Sequence, residues 1–166
     1  MASRTPPGYF RKEWGFFHWP QYNEERWLEC KRQADELRIP LEKGHFFGTD
    51  SNKKAVHATR VNLRGIGFHQ YAELVNEDFR TYTPPVSPNF VIANPPYGKR
   101  LDAVDQLQPL YRALGDWMKQ KTAKPAQGFV FTGNFELTKE VGLAASRRYV
   151  LDNGGIESRL LEFDLY

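Results

Sequence analysis

A single cysteine in 166 residues excludes an intrachain disulfide and any cage of thiolates around a metal, and it points to a reducing compartment. That thiol, Cys30, falls within a helical pattern, where a half-buried, unreactive position is expected. No apolar run approaches the roughly 20 residues that a membrane-spanning helix needs. The opening "MASRTPPGYFRKEW" lacks the apolar centre of a secretory signal, so a cytoplasmic location is expected. Four histidines, His18, His45, His57 and His69, are scattered without the spacing of metal ligands, and no metal is expected. There is no Ser/His/Asp arrangement, no G-x-G-x-x-G, no internal repeat and no low-complexity tract.

What is present has the make-up of a folded domain. The length suits about one domain with a sizeable core, and 40% hydrophobic with 26% charged residues is ordinary for a globular chain. Aromatic residues reach 14% and crowd the front of the sequence. The net charge of +3 is compatible with a polyanionic partner without demonstrating one.

Residues 1–20 carry three prolines and no clean period. They read as an irregular aromatic arm whose Phe16, Phe17 and Trp19 need a packing surface; residues 21–166 read as the domain proper. From Tyr22 to about Leu37, Trp27, Cys30, Ala34 and Leu37 recur at helical spacing, with Asn23 as a cap. "GHFFGTDSNKKAVHATRVNLRGIG" predicts a strand ending at Thr49 and Asp50, then a helix from about Asn52. Ala55, Ala58, Thr59 and Asn62 are expected to line one side of it, and Gly65 to supply its left-handed stop. "YAELVNED" and "NFVIANPP" predict two more strands, separated by the proline-rich "RTYTPPVSPN". Leu107, Leu110, Tyr111, Leu114, Trp117 and Met118 mark a long helix. "GFVFTG" reads as a buried strand, "NFELTKEVGL" as a short helix, and "SRRYVLDNGGIESRLLEFDLY" as a hairpin around Asn153-Gly154-Gly155. Alternation of strands and helices ending in a hairpin argues for an α/β sheet, mostly parallel with an antiparallel C-terminal edge. Ligands of such sheets sit beyond the carboxyl ends of the strands, which directs attention to Asp50, to Asn76 through Asp78, and to Asn94 through Tyr97.

Asn94-Pro95-Pro96-Tyr97 follows directly on an apolar strand that is expected to be buried. An exocyclic amine of a nucleobase is a poor nucleophile because its lone pair is delocalised into the ring. To react, both its hydrogens must point at acceptors. The Asn94 side-chain oxygen and a backbone carbonyl supply two, the prolines stiffen the loop, and Tyr97 offers a face on which a flipped base can stack. A plain proline-rich turn would look similar in isolation. Asp50 at its strand end can accept from both ribose hydroxyls of a nucleoside cofactor, or serve as an ordinary turn residue. Asp78 with Phe79 sits where the adenine of that cofactor would be read, or in a solvated acidic loop. Lys99 and Arg100 beside the proline motif, with Lys119, Lys121, Lys124, Arg147 and Arg148 further on, can contact phosphates or form a solvated basic face.

The run of "WGFFHWPQYNEERW", "FFGTDSNKKAVHATRVNLRGIG", "VIANPPYGKRL", "LYRALGDWMK", "GFVFTGNFEL" and "NGGIESRLLEFDLY" resembles the methyltransferase domain of the THUMP-containing ribosomal RNA guanine methyltransferases, the large-subunit enzymes of the RlmL or RlmKL type. The resemblance covers nearly the whole chain. It implies a class I, Rossmann-like fold that uses S-adenosylmethionine to methylate the exocyclic 2-amino group of a guanine in large-subunit ribosomal RNA. Carried over by position, it implies that Asp50 binds the cofactor ribose, Asp78 with Phe79 the adenine, and Asn94, Pro95, Pro96 and Tyr97 the target base, Asn94 also facing the cofactor. Members of the family carry a THUMP module and then a strand with a "D-P-x-C-G-S-G-T" loop ahead of the aromatic arm. The chain is therefore expected to be a partial methyltransferase domain missing the first strand, with a gap between the strands ending at Asp50 and Asn94 that another portion or a second copy would fill. Two other readings stand beside this one: a truncated, inactive fragment acting as a binding or dimerising module, and an adenine methyltransferase acting on DNA, since "NPPY" is shared with such enzymes.

Overall fold

The computed structural model describes residues 3–6, 8–97 and 101–166, with side chains from residue 105 onward in the last stretch. It forms two compact units, Met1–Glu77 and Asp78–Tyr166, whose strands belong to two separately hydrogen-bonded sheets.

In the first unit, the aromatic arm contains one short 3-10 turn, Gly15–His18, and leads into helix α1, Glu24–Glu36. Asn23 caps α1 by accepting from the Arg26 amide at 2.8 Å, with Glu24 and Glu25 in the first turn where the helix dipole favours acids. The arm packs on this helix through rings. Phe16 lies 5.1 Å and Trp14 5.7 Å from Trp27 between centroids, and Phe17 joins them in the same cluster. Trp19 does not share that burial and stays 67% exposed. It follows the 3-10 turn in extended backbone, which carries its ring to the margin of the cluster. Cys30 is exposed rather than half-buried, and Leu37 is exposed as well. Only Trp27 and Ala34 of the expected stripe reach partial burial, Trp27 through the ring cluster of the arm. The outer surface of α1 is instead laced by Lys31–Asp35 and Glu29–Arg32–Glu36 ion pairs.

Strand β1, Phe46–Thr49, leads through helix α2, Lys53–Gly65, into β2, Ala72–Val75. The two strands pair in parallel from Phe46 opposite Ala72 to Thr49 opposite Val75. Asn52 caps α2 through the Lys54 amide at 2.9 Å. Two sequence expectations need correcting for this helix. Gly65 lies inside it, and the left-handed residue is Gly67, at φ 73°. The packed side carries Val56 with Ala55 and Leu63, while Ala58, Thr59 and Asn62 face solvent. Val56 and Leu63 are the bulkier apolar groups, and burying them removes more apolar area from water.

The second unit is a four-stranded sheet in the order β3-β4-β6-β5, made of β3, Phe90–Ala93, β4, Ala126–Thr132, β5, Arg147–Asp152, and β6, Glu157–Leu165. β3 and β4 are parallel, while β6 runs antiparallel to both β4 and β5. Helix α3, Leu101–Lys121, covers one face. Tyr111, Leu114 and Met118 from α3 enter one core with Val130, Leu161, Phe163 and Leu165 from the sheet. The "NFELTKEVGL" segment forms a 3-10 turn, Leu137–Val141, rather than an α-helix. Leu137 and Val141 anchor it in the core, and it lies so close to α3 that a Cβ on Gly115 would stand 1.8 Å from the Val141 carbonyl oxygen. The left-handed Gly142, at φ 64°, ends it.

Candidate functional site

The residues singled out beyond strand ends occur in three local settings. Asp50 follows β1. Its amide donates to the Val75 carbonyl at 3.3 Å, its own carbonyl accepts from Asn76 Nδ2 at 2.8 Å, and Oδ1 accepts from the Asn52 amide at 2.7 Å. The side chain therefore leads the chain into α2 while remaining exposed. Thr49, just before it, donates its hydroxyl to the Glu77 carbonyl. These bonds fix the exits of the two parallel strands to one another.

Asp78 has a more committed carboxylate. Oδ1 accepts from the Arg80 amide at 2.9 Å and from Arg80 Nε at 3.0 Å, and Oδ2 accepts from Arg80 Nη2 at 2.5 Å. The side-chain bonds to Arg80, then the backbone bond, hold the Asp78 carboxyl well below the ordinary carboxylate range, at about 2. The Asp78 carbonyl also accepts from the Thr81 and Tyr82 amides, so the residue starts a tight turn. Phe79 is half-buried against the sheet core. Arg80 was not anticipated from the sequence, although an arginine two positions after an acid is a visible cue to such a pairing.

The third setting is Asn94-Pro95-Pro96-Tyr97, directly after β3. Asn94 and Pro96 are exposed, and Pro95 and Tyr97 half-buried. The Tyr97 ring lies edge-on to Phe131 of β4, 6.5 Å between centroids. A Cβ on Gly133 would come within 2.9 Å of its Cε2 and 3.1 Å of its Cδ2. Asn153 Nδ2, in the β5–β6 turn, donates to its hydroxyl oxygen at 3.0 Å. Beneath, the Tyr111 and Thr132 hydroxyls share a buried hydrogen bond of 2.9 Å. Burial pushes the Tyr111 phenol upward, Thr132 pulls it back, and Tyr97 nearby raises it again. Gly133 and Asn153 were missed as partners of Tyr97. The hairpin signal located the turn, but nothing in a linear sequence brings residue 153 to residue 97.

Lys99 and Arg100 lie outside the described residues. Of the other candidate phosphate contacts, Lys119 pairs with Asp116 at 3.2 Å. Lys124 donates to the Thr122 hydroxyl at 3.0 Å and the Met118 carbonyl at 3.4 Å, so both have local partners. Among the described residues no group of His, Cys, Asp and Glu could hold a metal ion, and no helix is long and apolar enough to cross a membrane. Two clefts are lined by α1 residues and by an apolar set including Leu41, Phe46 and Phe68, and neither contains Asp50, Asp78 or Asn94.

Residues 1–162 match the family model described as the RMKL-like methyltransferase domain. A ribosomal RNA large subunit methyltransferase K/L from Syntrophotalea carbinolica is 38% identical over 99% of this chain and 24% of its own length. A protein of the same name from Methylococcus capsulatus is 32% identical over 99% of this chain and 22% of its own. The chain thus spans about a quarter of the length of these curated relatives. Among solved structures, a possible methylase from Clostridium difficile 630 superposes at a TM-score of 0.76 with 22% identity, over 95% of this chain and 41% of that one. SMU.472, solved in complex with SAH, superposes at 0.72 with 25% identity, again over 95% and 41%. The fold is that of the α/β methyltransferases. With the family model matching from residue 1 to residue 162, inside β6, the chain belongs to the RMKL-like methyltransferase domain family.

Proposed function

We propose that this chain is catalytic machinery of an enzyme that transfers a methyl group from S-adenosylmethionine to the exocyclic 2-amino group of a guanine in large-subunit ribosomal RNA. The observation that carries the reading is the Asn94-Pro95-Pro96-Tyr97 strand exit, with Asn94 exposed and the Tyr97 ring held between Phe131, Gly133 and Asn153. The names of the relatives support ribosomal RNA as substrate, and the SAH held by SMU.472 supports the cofactor.

The residues fit that cofactor unequally. Asp50 is exposed at the end of a parallel strand with Oδ1 engaged by one backbone amide, which suits a carboxylate receiving ribose hydroxyls. Asp78 would have to share or exchange Arg80 before its oxygens met an adenine amine; Phe79 offers an apolar edge beside it. S-adenosylmethionine, when bound, supplies an electrophilic methyl on a sulfonium. The protein's task is then orientation. The Asn94 side-chain oxygen and the Pro95 carbonyl accept the two amine hydrogens and turn the nitrogen lone pair out of conjugation. Tyr97 stacks on the base and excludes water from it. No strong general base is required, because the acidity of the amine rises as the new N–C bond forms and the proton then passes to solvent. Lys99 and Arg100 belong to the same proposal as phosphate contacts.

The test is to incubate the purified protein with isotopically labelled S-adenosylmethionine and large-subunit ribosomal RNA, then identify the modified nucleoside by mass spectrometry. N2-methylguanosine is expected, and Asn94→Ala should lower turnover by about 100-fold, the scale seen when one preorganised hydrogen bond at a reacting group is lost. Methylated adenine, or undiminished turnover by the Asn94 variant, would overturn the assignment.

A further inference from the structure

We propose that the turn between β5 and β6 is a positioning device for the target base, with Asn153 setting the ring of Tyr97 from a place 56 residues later in the chain. The inference rests on the reading of Tyr97 as a base contact and adds what holds that contact. Two features converge on the ring. Asn153 Nδ2 donates to the Tyr97 hydroxyl oxygen at 3.0 Å. Gly133 leaves only enough room for the ring edge, a Cβ there standing 2.9 Å from Tyr97 Cε2 and 3.3 Å from Ile156 Cγ2. Ile156, in the same turn as Asn153, thus lies beside that gap as well. A tyrosine wedged in this way has its plane set before any base arrives, which lowers the ordering cost of stacking.

The hydrogen bond also has a direction. An amide N–H donates and the phenol oxygen accepts, so the phenolic hydrogen is left to point elsewhere and Tyr97 can donate to an acceptor of the base or its ribose while it stacks. A phenylalanine could stack but not donate, and would leave the Asn153 amide without this acceptor.

The turn itself does not depend on the Asn153 side chain. The Asn153 amide donates to the Ile156 carbonyl at 2.9 Å, the Gly155 amide donates to Asp152 Oδ1 at 2.9 Å, and Gly154 and Gly155 take the left-handed conformations, at φ 64° and 81°. Asn153→Ala is therefore expected to fold.

The experiment uses the chain with 13Cζ-labelled tyrosine, the Tyr97 signal being assigned with Tyr97→Phe. Its second readout is fluorescence anisotropy with a labelled single-stranded oligoribonucleotide containing guanine. Asn153→Ala should shift the Tyr97 resonance and weaken oligonucleotide binding by about fivefold, a typical cost of one neutral hydrogen bond. Gly133→Ala should shift the same resonance by displacing the ring. Asn153→Asp, whose carboxylate can accept the Tyr97 proton, should restore the ring position but leave no phenolic hydrogen for the ligand. An unmoved Tyr97 signal in both Asn153→Ala and Gly133→Ala would overturn the positioning role. A moved signal with unchanged affinity would overturn it too, provided Tyr97→Ala weakens binding. If Tyr97→Ala binds as well as the native chain, or the native chain does not bind, the reading of Tyr97 as a base contact fails, and the positioning role fails with it.

Discussion

Asp78 both pairs with a neighbouring cation and starts a turn. Its carboxylate is paired with Arg80 through both oxygens, and the pair lies at the start of the turn that opens the second unit. Because the folded carboxyl is held near 2 against an ordinary 3.8, it contributes stability at neutral pH. That contribution is lost as the pH falls from about 4 to about 2, the range in which the unfolded chain takes up the proton first. Asp78→Asn should therefore narrow the difference between urea midpoints measured at about pH 5 and about pH 2.5. An unchanged difference would mean that the pair makes no net contribution, as exposed ion pairs often do. Asp50 differs at the same scale: its side chain meets a backbone amide rather than a cation, and so keeps acceptor capacity for a ligand.

At the scale of elements, β3 is the informative strand. Among the described residues it pairs only with β4, yet it carries Phe90 at 54% and Ile92 at 66% exposure. Val91 and Ala93 point the other way, into the packing around α3, so the strand is apolar on both faces, as its sequence suggested, but covered fully on neither. An open apolar edge is a template for pairing with another chain. Ile92→Lys should leave the melting midpoint nearly unchanged, within about 0.5 kcal/mol of stability, and should reduce concentration-dependent association in light scattering. Equal association of both forms would show that this edge is not the contact. The strands, α2 and α3 were all readable beforehand, because each is a short run with strong periodicity or caps. The segment at Leu137–Val141 was readable as a turn of helix but not as 3-10, since its geometry comes from being pressed against Gly115 rather than from its own residues.

For the whole molecule, apolar burial is uneven. Among the described residues of the first unit, Val56 is the one fully buried aliphatic side chain. The second unit holds a contiguous core of Tyr111, Leu114, Met118, Val130, Leu137, Val141, Leu161, Phe163 and Leu165. Local opening is governed by such differences. Hydrogen exchange should therefore protect the amides of β4 and β6 by at least about 100-fold more than those of α1 and α2. Uniform protection would imply a cooperative unit that the distribution of buried residues does not suggest.

The sequence by itself determined the order and type of most elements and singled out the strand exits as candidate sites, because both depend on local pattern: apolar periodicity, caps, and an Asn-Pro-Pro-Tyr run after an apolar strand. It also pointed to the RMKL-like methyltransferase family, which the match over residues 1–162 shows. Only the tertiary structure decided which side of α2 is packed, that Asp78 is committed to Arg80, and that Tyr97 is held by Gly133 and Asn153. The Asp78–Arg80 pair is a local choice among partners and the packed side of α2 is set by its own neighbours, whereas the hold on Tyr97 depends on residues far apart in the chain. A linear pattern specifies which side chains seek burial or partners, and the competition among them is resolved only when the chain folds.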